Sequence, residues 1–366
     1  MATLPQIRGM LLEEAILFLL RVAGYDTVER KLNDPALTGA VGFLKVRGRG
    51  TDHQIDAIAD FGVSPPFCNR QRLLVEAKCY STERTIGIEV VRNAVGVLKD
   101  VEEFWVPMSD SASFRYHYQF AIFSTSRFTS PAQRYAFAQD VVLVPLENSR
   151  FARDIVAAIR AVTFKSFGAE SWRKIDIDLG RLRKWVRQRI RGTGTPSGRL
   201  ASDPPSDLED DARDLLEGLF SAVSEVGGAV IGMLNHQVPV FLIPNPALEI
   251  HQVIGRLAEI DRIRVFYNAE GWFLTRAGNN DHLFSFDLPG VLFDLYSERG
   301  ELSPERAVEL KGDWLGEISI MVRLPYERPR LHTLALDQAW LASIRDNLQP
   351  EEEETPEVPA EEEDAH

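Results

Sequence analysis

The chain is 366 residues long, 45% hydrophobic and 26% charged, so it can build a sizeable core, excludes a disordered reading, and fits two domains with a tail left over. No run approaches the roughly 18 to 20 uninterrupted apolar residues of a membrane span; Met10 to Ala23 is broken by Glu13 and Glu14, and no basic leader precedes a small-residue cleavage site, so no membrane partner is expected. The two cysteines, Cys68 and Cys79, form no CxxC pair and no Cys/His cluster, which points to a reducing, cytoplasmic setting without structural zinc.

The net charge of -13 is unevenly spread: residues 1–199 hold 29 Lys+Arg against 21 Asp+Glu, and residues 200–366 hold 12 against 33. A basic half is joined to a strongly acidic one, and only the first suits a polyanion.

In chain order, Leu11 to Ala23 places Leu12, Ile16, Leu19, Leu20 and Ala23 at helical spacing, with Gly24 as its C-terminal stop. Strands are predicted at Val41–Val46, at Gln54–Phe61 and, after a Pro/Gly/Asn-containing loop over Gly62–Gln71, at Arg72–Ala77. A helix over Ile88–Phe104, a buried strand at Tyr118–Ser124, a helix at Ser130–Ala138, a strand at Val141–Val144 and helical sequence from Arg150 follow. This αβββαβαβ order predicts an α/β unit, a mixed sheet flanked by helices. Gly192–Asp207 is rich in Gly, Pro and Ser and reads as a linker. Beyond it an α+β domain is expected, with helices at Leu208–Val226 and Leu248–Leu257 and strands at Val238–Ile243, Arg264–Tyr267 and Ile318–Val322. From Glu351 the chain is a low-complexity acidic tail that lacks the apolar surface needed to offset ordering entropy.

One constellation carries chemistry. Hydrolysis of a phosphodiester needs hard oxygen ligands for a divalent cation, an activated water and a positive group near the phosphate. In VEAK, Glu76 and Lys78 are two apart in a strand and face the same way. If the strands on either side of Gly62–Gln71 pair as an antiparallel hairpin, Asp56 at the start of one comes beside Glu76 at the end of the other. An E-x-K triplet alone is an ordinary solvated strand edge, and Asp56 alone could cap a turn. Their joint placement at facing ends of two otherwise apolar strands favours function, since charges there are costly without partners. Glu13 on the first helix could supply a further carboxylate. Asp52 reads equally as a turn former or in a metal role, and His53 as a proton-transfer group or merely an exposed residue.

At this point the sequence resembles the Mrr-type restriction endonucleases, of the superfamily marked by the PD-(D/E)xK pattern. The resemblance runs from about Met10 to Leu146 through EEAILFLLRVAGY, GRGTDHQIDAIADF, LLVEAKCY and AIFSTSRFTSPAQRYAFAQDVVLV in order. It departs in having Ile55 where the pattern's name has proline and Gln54 where glycine is frequent. The resemblance implies a restriction-endonuclease-like fold. It also implies that Asp56, Glu76, Lys78 and Glu13 are catalytic, with Mg2+, or Mn2+ in its place, held by Asp56, Glu76, the backbone carbonyl of Ala77 and Glu13. The expected division is a nuclease domain over residues 1–165, a basic helical extension over 166–191, a linker over 192–207, an acidic regulatory or partner-binding domain over 208–350 and a disordered tail over 351–366.

The extension holds RLRKWVRQRIR, Arg181–Arg191, whose apolar positions Leu182, Trp185, Val186 and Ile190 can dock while the charged face, with Arg183, Lys184 and Arg187, tracks phosphates; a solvated helix face is the alternative. Arg127 and Arg134 are further DNA-contact candidates. The function expected is a metal-dependent endodeoxyribonuclease, with restriction or anti-phage defence implied by the resemblance alone. A repair or recombination nuclease, or a conditional nuclease subunit of a larger complex recruited through the C-terminal domain, are the other readings. Cutting both strands would favour a homodimer or higher oligomer.

Overall fold

The structure is a computed structural model, and it describes residues 1–31, 34–40, 43–63, 67–104, 115–147, 149, 152–170, 174–192, 203–226, 230–235, 238–245, 248, 253, 257–260, 262–268, 271–278, 282–288, 290–297, 301–322 and 330–348. The acidic tail, most of the expected linker and most of the helix expected at Leu248–Leu257 lie outside these residues.

Helix α1 spans Leu4–Val22 and so begins well before the expected Leu11. Its start is fixed by a reciprocal cap, in which the Thr3 hydroxyl accepts from the Gln6 N–H while the Gln6 side chain accepts from the Thr3 N–H. Gly24 ends the run at φ +93, and a Cβ there would also press on Met321 at 3.2 Å.

The short strand β1 (Asp26–Thr27) is followed by a three-stranded antiparallel sheet of β2 (Leu37–Ala40), β3 (Phe43–Arg47) and β4 (Asp52–Gln54). The stretch expected as one strand, Gln54–Phe61, is divided. Its first residue belongs to β4, and β5 (Ala57–Asp60) joins a different sheet, so Ile55 and Asp56 sit at the junction. Ile55 is buried and anchors that junction. The turn before β4 is tied down by Asp100, whose carboxylate accepts from the Gly50 and Thr51 N–H groups at 2.8 and 3.3 Å. Gly48 is needed beside it, since a Cβ would lie 2.0 Å from the Asp100 carboxylate.

The second sheet runs β1-β5-β6-β7-β8, with β6 (Arg70–Lys78), β7 (Tyr116–Ser124) and β8 (Val141–Pro145) parallel to one another and β5 antiparallel to β6. The sheet is therefore mixed, as the element order predicts. Helices α2 (Ile88–Glu102) and α3 (Ser130–Ala138) cover one face through Ile58, Leu74, Phe120 and Ile122. The alternate residues Ala57, Leu73, Val75 and Phe123 pack on the other face with α1, α4 (Arg153–Ala161), α5 (Leu179–Gly192) and α6 (Asp210–Glu225). Alternation along the strands thus builds two cores from one sheet. Helix α6, expected as the start of the C-terminal domain, belongs to this first body: Leu208, Leu216, Leu219 and Phe220 are buried in its core.

The rest of the described chain forms a closed seven-stranded barrel, in the order β10-β13-β12-β11-β15-β14-β9. Its strands are β9 (Val230–Met233), β10 (Pro239–Pro244), β11 (Arg262–Asn268), β12 (Gly271–Arg276), β13 (His282–Phe286), β14 (Glu317–Val322) and β15 (Arg330–Leu336), with helices α7 (Gly290–Tyr296), α8 (Pro304–Trp314) and α9 (Gln338–Leu348). β11, β12 and β13 form a meander, and β11 meets β15 in parallel, which completes the closure with the β14–β9–β10 run. The expected strands at Val238–Ile243, Arg264–Tyr267 and Ile318–Val322 correspond to β10, β11 and β14; β9, β12, β13 and β15 were not expected. No helix among the described residues is long and apolar enough to cross a membrane.

Candidate active site

The hairpin expected across Gly62–Gln71 is present: Ala57 lies opposite Val75 and Asp60 opposite Arg72. That register carries Asp56 to the end of β6, where its Oδ2 accepts from the Ala77 N–H at 2.8 Å. In an extended strand the N–H and C=O of one residue point to the same edge, so the Ala77 carbonyl also faces the Asp56 side. Glu76 and Lys78 are half-buried on one face of β6, and the Lys78 ammonium donates to Glu76 Oε1. Asp56, Glu76, Ala77 and Lys78 are thus brought together.

Glu13, on α1, completes the group from the side. Burial pushes its carboxyl up to about 7; Arg183 pulls against this, and the neighbouring charges of Asp56 and Glu14 add to it. Burial also raises Asp56 above the usual carboxylate range, opposed by the Ala77 N–H and reinforced by Glu76. For Lys78 burial acts downward, but the hydrogen bond and charge of Glu76 outweigh it, and the ammonium stays firmly protonated above its ordinary value. Asp56 thus feels the charge of Glu76 and of Lys78, and Glu13 feels that of Asp56. Among the described residues no group of three or more His, Cys, Asp or Glu side chains is placed so that it could hold a metal ion.

The end of β6 is held by the buried turn Ser124–Thr125–Ser126, the continuation of β7. The Thr125 N–H donates to the Lys78 carbonyl at 3.0 Å. Its hydroxyl donates to the Tyr80 carbonyl at 2.8 Å and accepts from the Tyr80 N–H at 3.0 Å. Thr125 therefore fixes the backbone on both sides of Cys79, a role that sequence reasoning missed. His53 is directed away from proton transfer at this site, since its Nε2 lies 2.7 Å from Asp100 Oδ2. Asp52 accepts from the Thr38 hydroxyl at 2.8 Å, in line with a structural role.

The basic helix departs from the expected phosphate-tracking face. Leu182, Trp185, Val186 and Ile190 are buried as expected. Arg187, however, closes a two-point pair on Glu14 at 2.7 and 2.6 Å, and Arg183 lies 2.7 Å from Glu13. Arg191 and Arg21 meet Glu29. Glu14 is only 2% exposed, and an unpaired carboxylate there would be costly, which is why these arginines turn inward. The adjacent acids Glu13–Glu14 and the i,i+4 spacing of Arg183 and Arg187 were the sequence signal for this seam. Lys184 remains exposed. Arg134 is exposed on α3, and Arg127 lies 3.7 Å from Glu147. Arg127 lines a cavity of about 520 Å3 between α3, β8, β10 and α7, along with Phe128, Phe137, Phe241 and Phe293; none of the four site residues Glu13, Asp56, Glu76 and Lys78 lines it.

No curated protein matches the sequence. Among solved structures, a protein of unknown function is similar at 15% identity and TM-score 0.33, over 60% of this chain and 98% of its own. The DNA modification-dependent restriction endonuclease AspBHI is similar at 17% identity and TM-score 0.24, over 43% of this chain and 34% of its own. Residues 12–149 match the family model of the Mrr catalytic domain, described as restriction endonuclease. That span contains the whole of the Asp56–Glu76–Lys78 grouping and the acid of α1, so over residues 12–149 the chain is similar to the restriction endonuclease catalytic domains of the Mrr family.

Proposed function

We propose that the protein is a divalent-metal-dependent endodeoxyribonuclease with Asp56, Glu76, Lys78 and Glu13 as its working residues, serving restriction or anti-phage defence. The observation that carries this reading is the register of β5 against β6, which sets Asp56 on the Ala77 N–H beside the paired Glu76 and Lys78. The donor set suits a hard cation: Asp56, Glu76, Glu13 and the Ala77 carbonyl are all oxygen donors, and the carboxylates disfavour one another's charge without one. Mg2+, or Mn2+ in its place, would be held there and would supply a nucleophilic water at neutral pH and a counter-charge for the phosphate. Lys78, kept protonated by Glu76, is the cation that can meet charge building on the phosphate oxygens. Asp56 holds the site's geometry through its bond from the Ala77 N–H, and the Thr125 turn fixes the strand end that presents Lys78. DNA is the substrate that the Mrr match favours. The barrel, whose residues 230–348 hold 16 Asp+Glu against 11 Lys+Arg, is assigned a regulatory or partner-directed role, because a net negative charge does not favour phosphates.

Purified full-length protein incubated with methylated and unmethylated plasmid tests this. Linear or nicked product with Mg2+ and none with chelator is expected on at least one substrate. Cutting that persists in chelator overturns the metal-dependent reading, and linear, nicked and branched substrates separate restriction from repair.

A further inference from the structure

Helix α5 lies outside residues 12–149, yet two of its arginines meet the acids of α1 in different ways. Arg187 saturates Glu14 with two short hydrogen bonds, and Glu14 is 2% exposed, so this contact is a sealed seam. Arg183 is 3.7 Å from Glu14 but 2.7 Å from Glu13, and this second pair opens to solvent, with side chains 20% and 17% exposed. Glu14 is satisfied without Arg183. The charge of Arg183 is delivered to Glu13 and is felt at Asp56.

Glu13 therefore has two rival uses, as the partner of a guanidinium and as an oxygen ligand beside Asp56. Arg183 has two as well, because its planar fork matches a phosphate as well as it matches a carboxylate. We infer that Arg183 is a phosphate-contacting residue of the cleavage site that Glu13 holds in the free protein, and that DNA takes Arg183 from Glu13 and releases the Glu13 carboxylate toward Asp56 and Glu76. The inference rests on the nuclease reading above. It makes the metal site complete only when substrate is present, which limits idle metal binding, and it ties a helix beyond the matched domain to the reaction. Because coupling of this kind is reciprocal, DNA tightens metal binding and metal tightens DNA binding.

Calorimetric titration of full-length protein with Ca2+, free and saturated with a short duplex, tests the hand-over without any cleavage. In the wild type the duplex should tighten Ca2+ binding by about fivefold or more, the low end of ordinary coupling. Arg183→Met should bind Ca2+ more tightly than wild type when free, since the rival cation is gone, and lose most of the tightening by duplex. Glu13→Gln should lose it too, and Arg183→Met should add nothing to Glu13→Gln. Arg183→Lys, with the charge but not the fork, should recover only part. Additive effects of the two substitutions, or coupling unchanged in either, overturn the inference; if Arg183→Met fails to fold, Glu13→Gln and Arg183→Lys decide. A wild type that shows the coupling but cuts no DNA removes the nuclease reading and leaves the hand-over standing. Cleavage without coupling does the reverse, and absence of Ca2+ binding removes the hand-over.

Discussion

Thr125 is the residue on which the geometry of the site leans most without being part of its chemistry. It is fully buried, and its hydroxyl answers both the N–H and the C=O of Tyr80. Thr125→Val keeps the shape and removes the partner of two part-buried backbone groups of Tyr80, which should cost about 1 kcal/mol of stability. A melting midpoint equal to the wild type would show that the turn is held by something else. Lys311, on α8, makes a different point. It is 8% exposed, and burial pulls its ammonium down to about 8, with the Trp340 ring 5.3 Å away as its aromatic neighbour. A lysine whose folded value is depressed contributes stability that is present above its unfolded value near 10.5 and is lost as pH falls through about 8. At pH 6.5 the charged form is therefore a burden, and Lys311→Met should stabilise by roughly 2 to 3 kcal/mol. The gain should shrink between pH 8 and 10.5; a gain independent of pH would mean that packing, not charge, sets it.

At the scale of elements, Ser130–Ala138 was legible to the residue because Thr129 caps it and Pro131 opens it, and β6, β7 and β8 were legible as apolar runs flanked by turns. Asp56, Glu76 and Lys78 were legible as a group because strand parity and a hairpin suffice to place them. The division of Gln54–Phe61 was not, since the break at Ile55–Asp56 depends on which sheet each half joins, a tertiary choice that alternation does not encode. The inward turn of Arg183 and Arg187 was hidden for the same reason: their partners on α1 are far away in sequence, at Glu13 and Glu14. This changes what α5 offers to DNA. Neutralising the exposed Lys184 and Arg181 should flatten the salt dependence of duplex binding by about one log-log unit each at most. Arg187→Gln should instead lower the melting midpoint, because it strands a buried Glu14. Equal slopes in wild type and the Lys184/Arg181 variant would return that surface to solvent alone.

For the whole molecule, the charge asymmetry was plain in the sequence, whereas the closed barrel was not, because its short strands close through the parallel β11–β15 contact between distant segments. The Gly/Pro/Ser stretch marks a change of composition rather than the edge of a core, as α6 beyond it packs on α4 and buries Leu216, Leu219 and Phe220 in the first body. A fragment ending at residue 191 should therefore expose that apolar seam and aggregate, and one ending at residue 226 should stay in solution; equal solubility would make α6 dispensable. The central claim, that the ends of β5 and β6 form a hydrolytic site, is tested most directly by single-turnover cleavage of a susceptible DNA in Mg2+ by wild type, Asp56→Ala and Lys78→Ala, with folding checked by circular dichroism. Cutting by the wild type and loss of at least about a hundredfold in each folded variant is the predicted result. Folded Asp56→Ala or Lys78→Ala protein that cuts at the wild-type rate would contradict it.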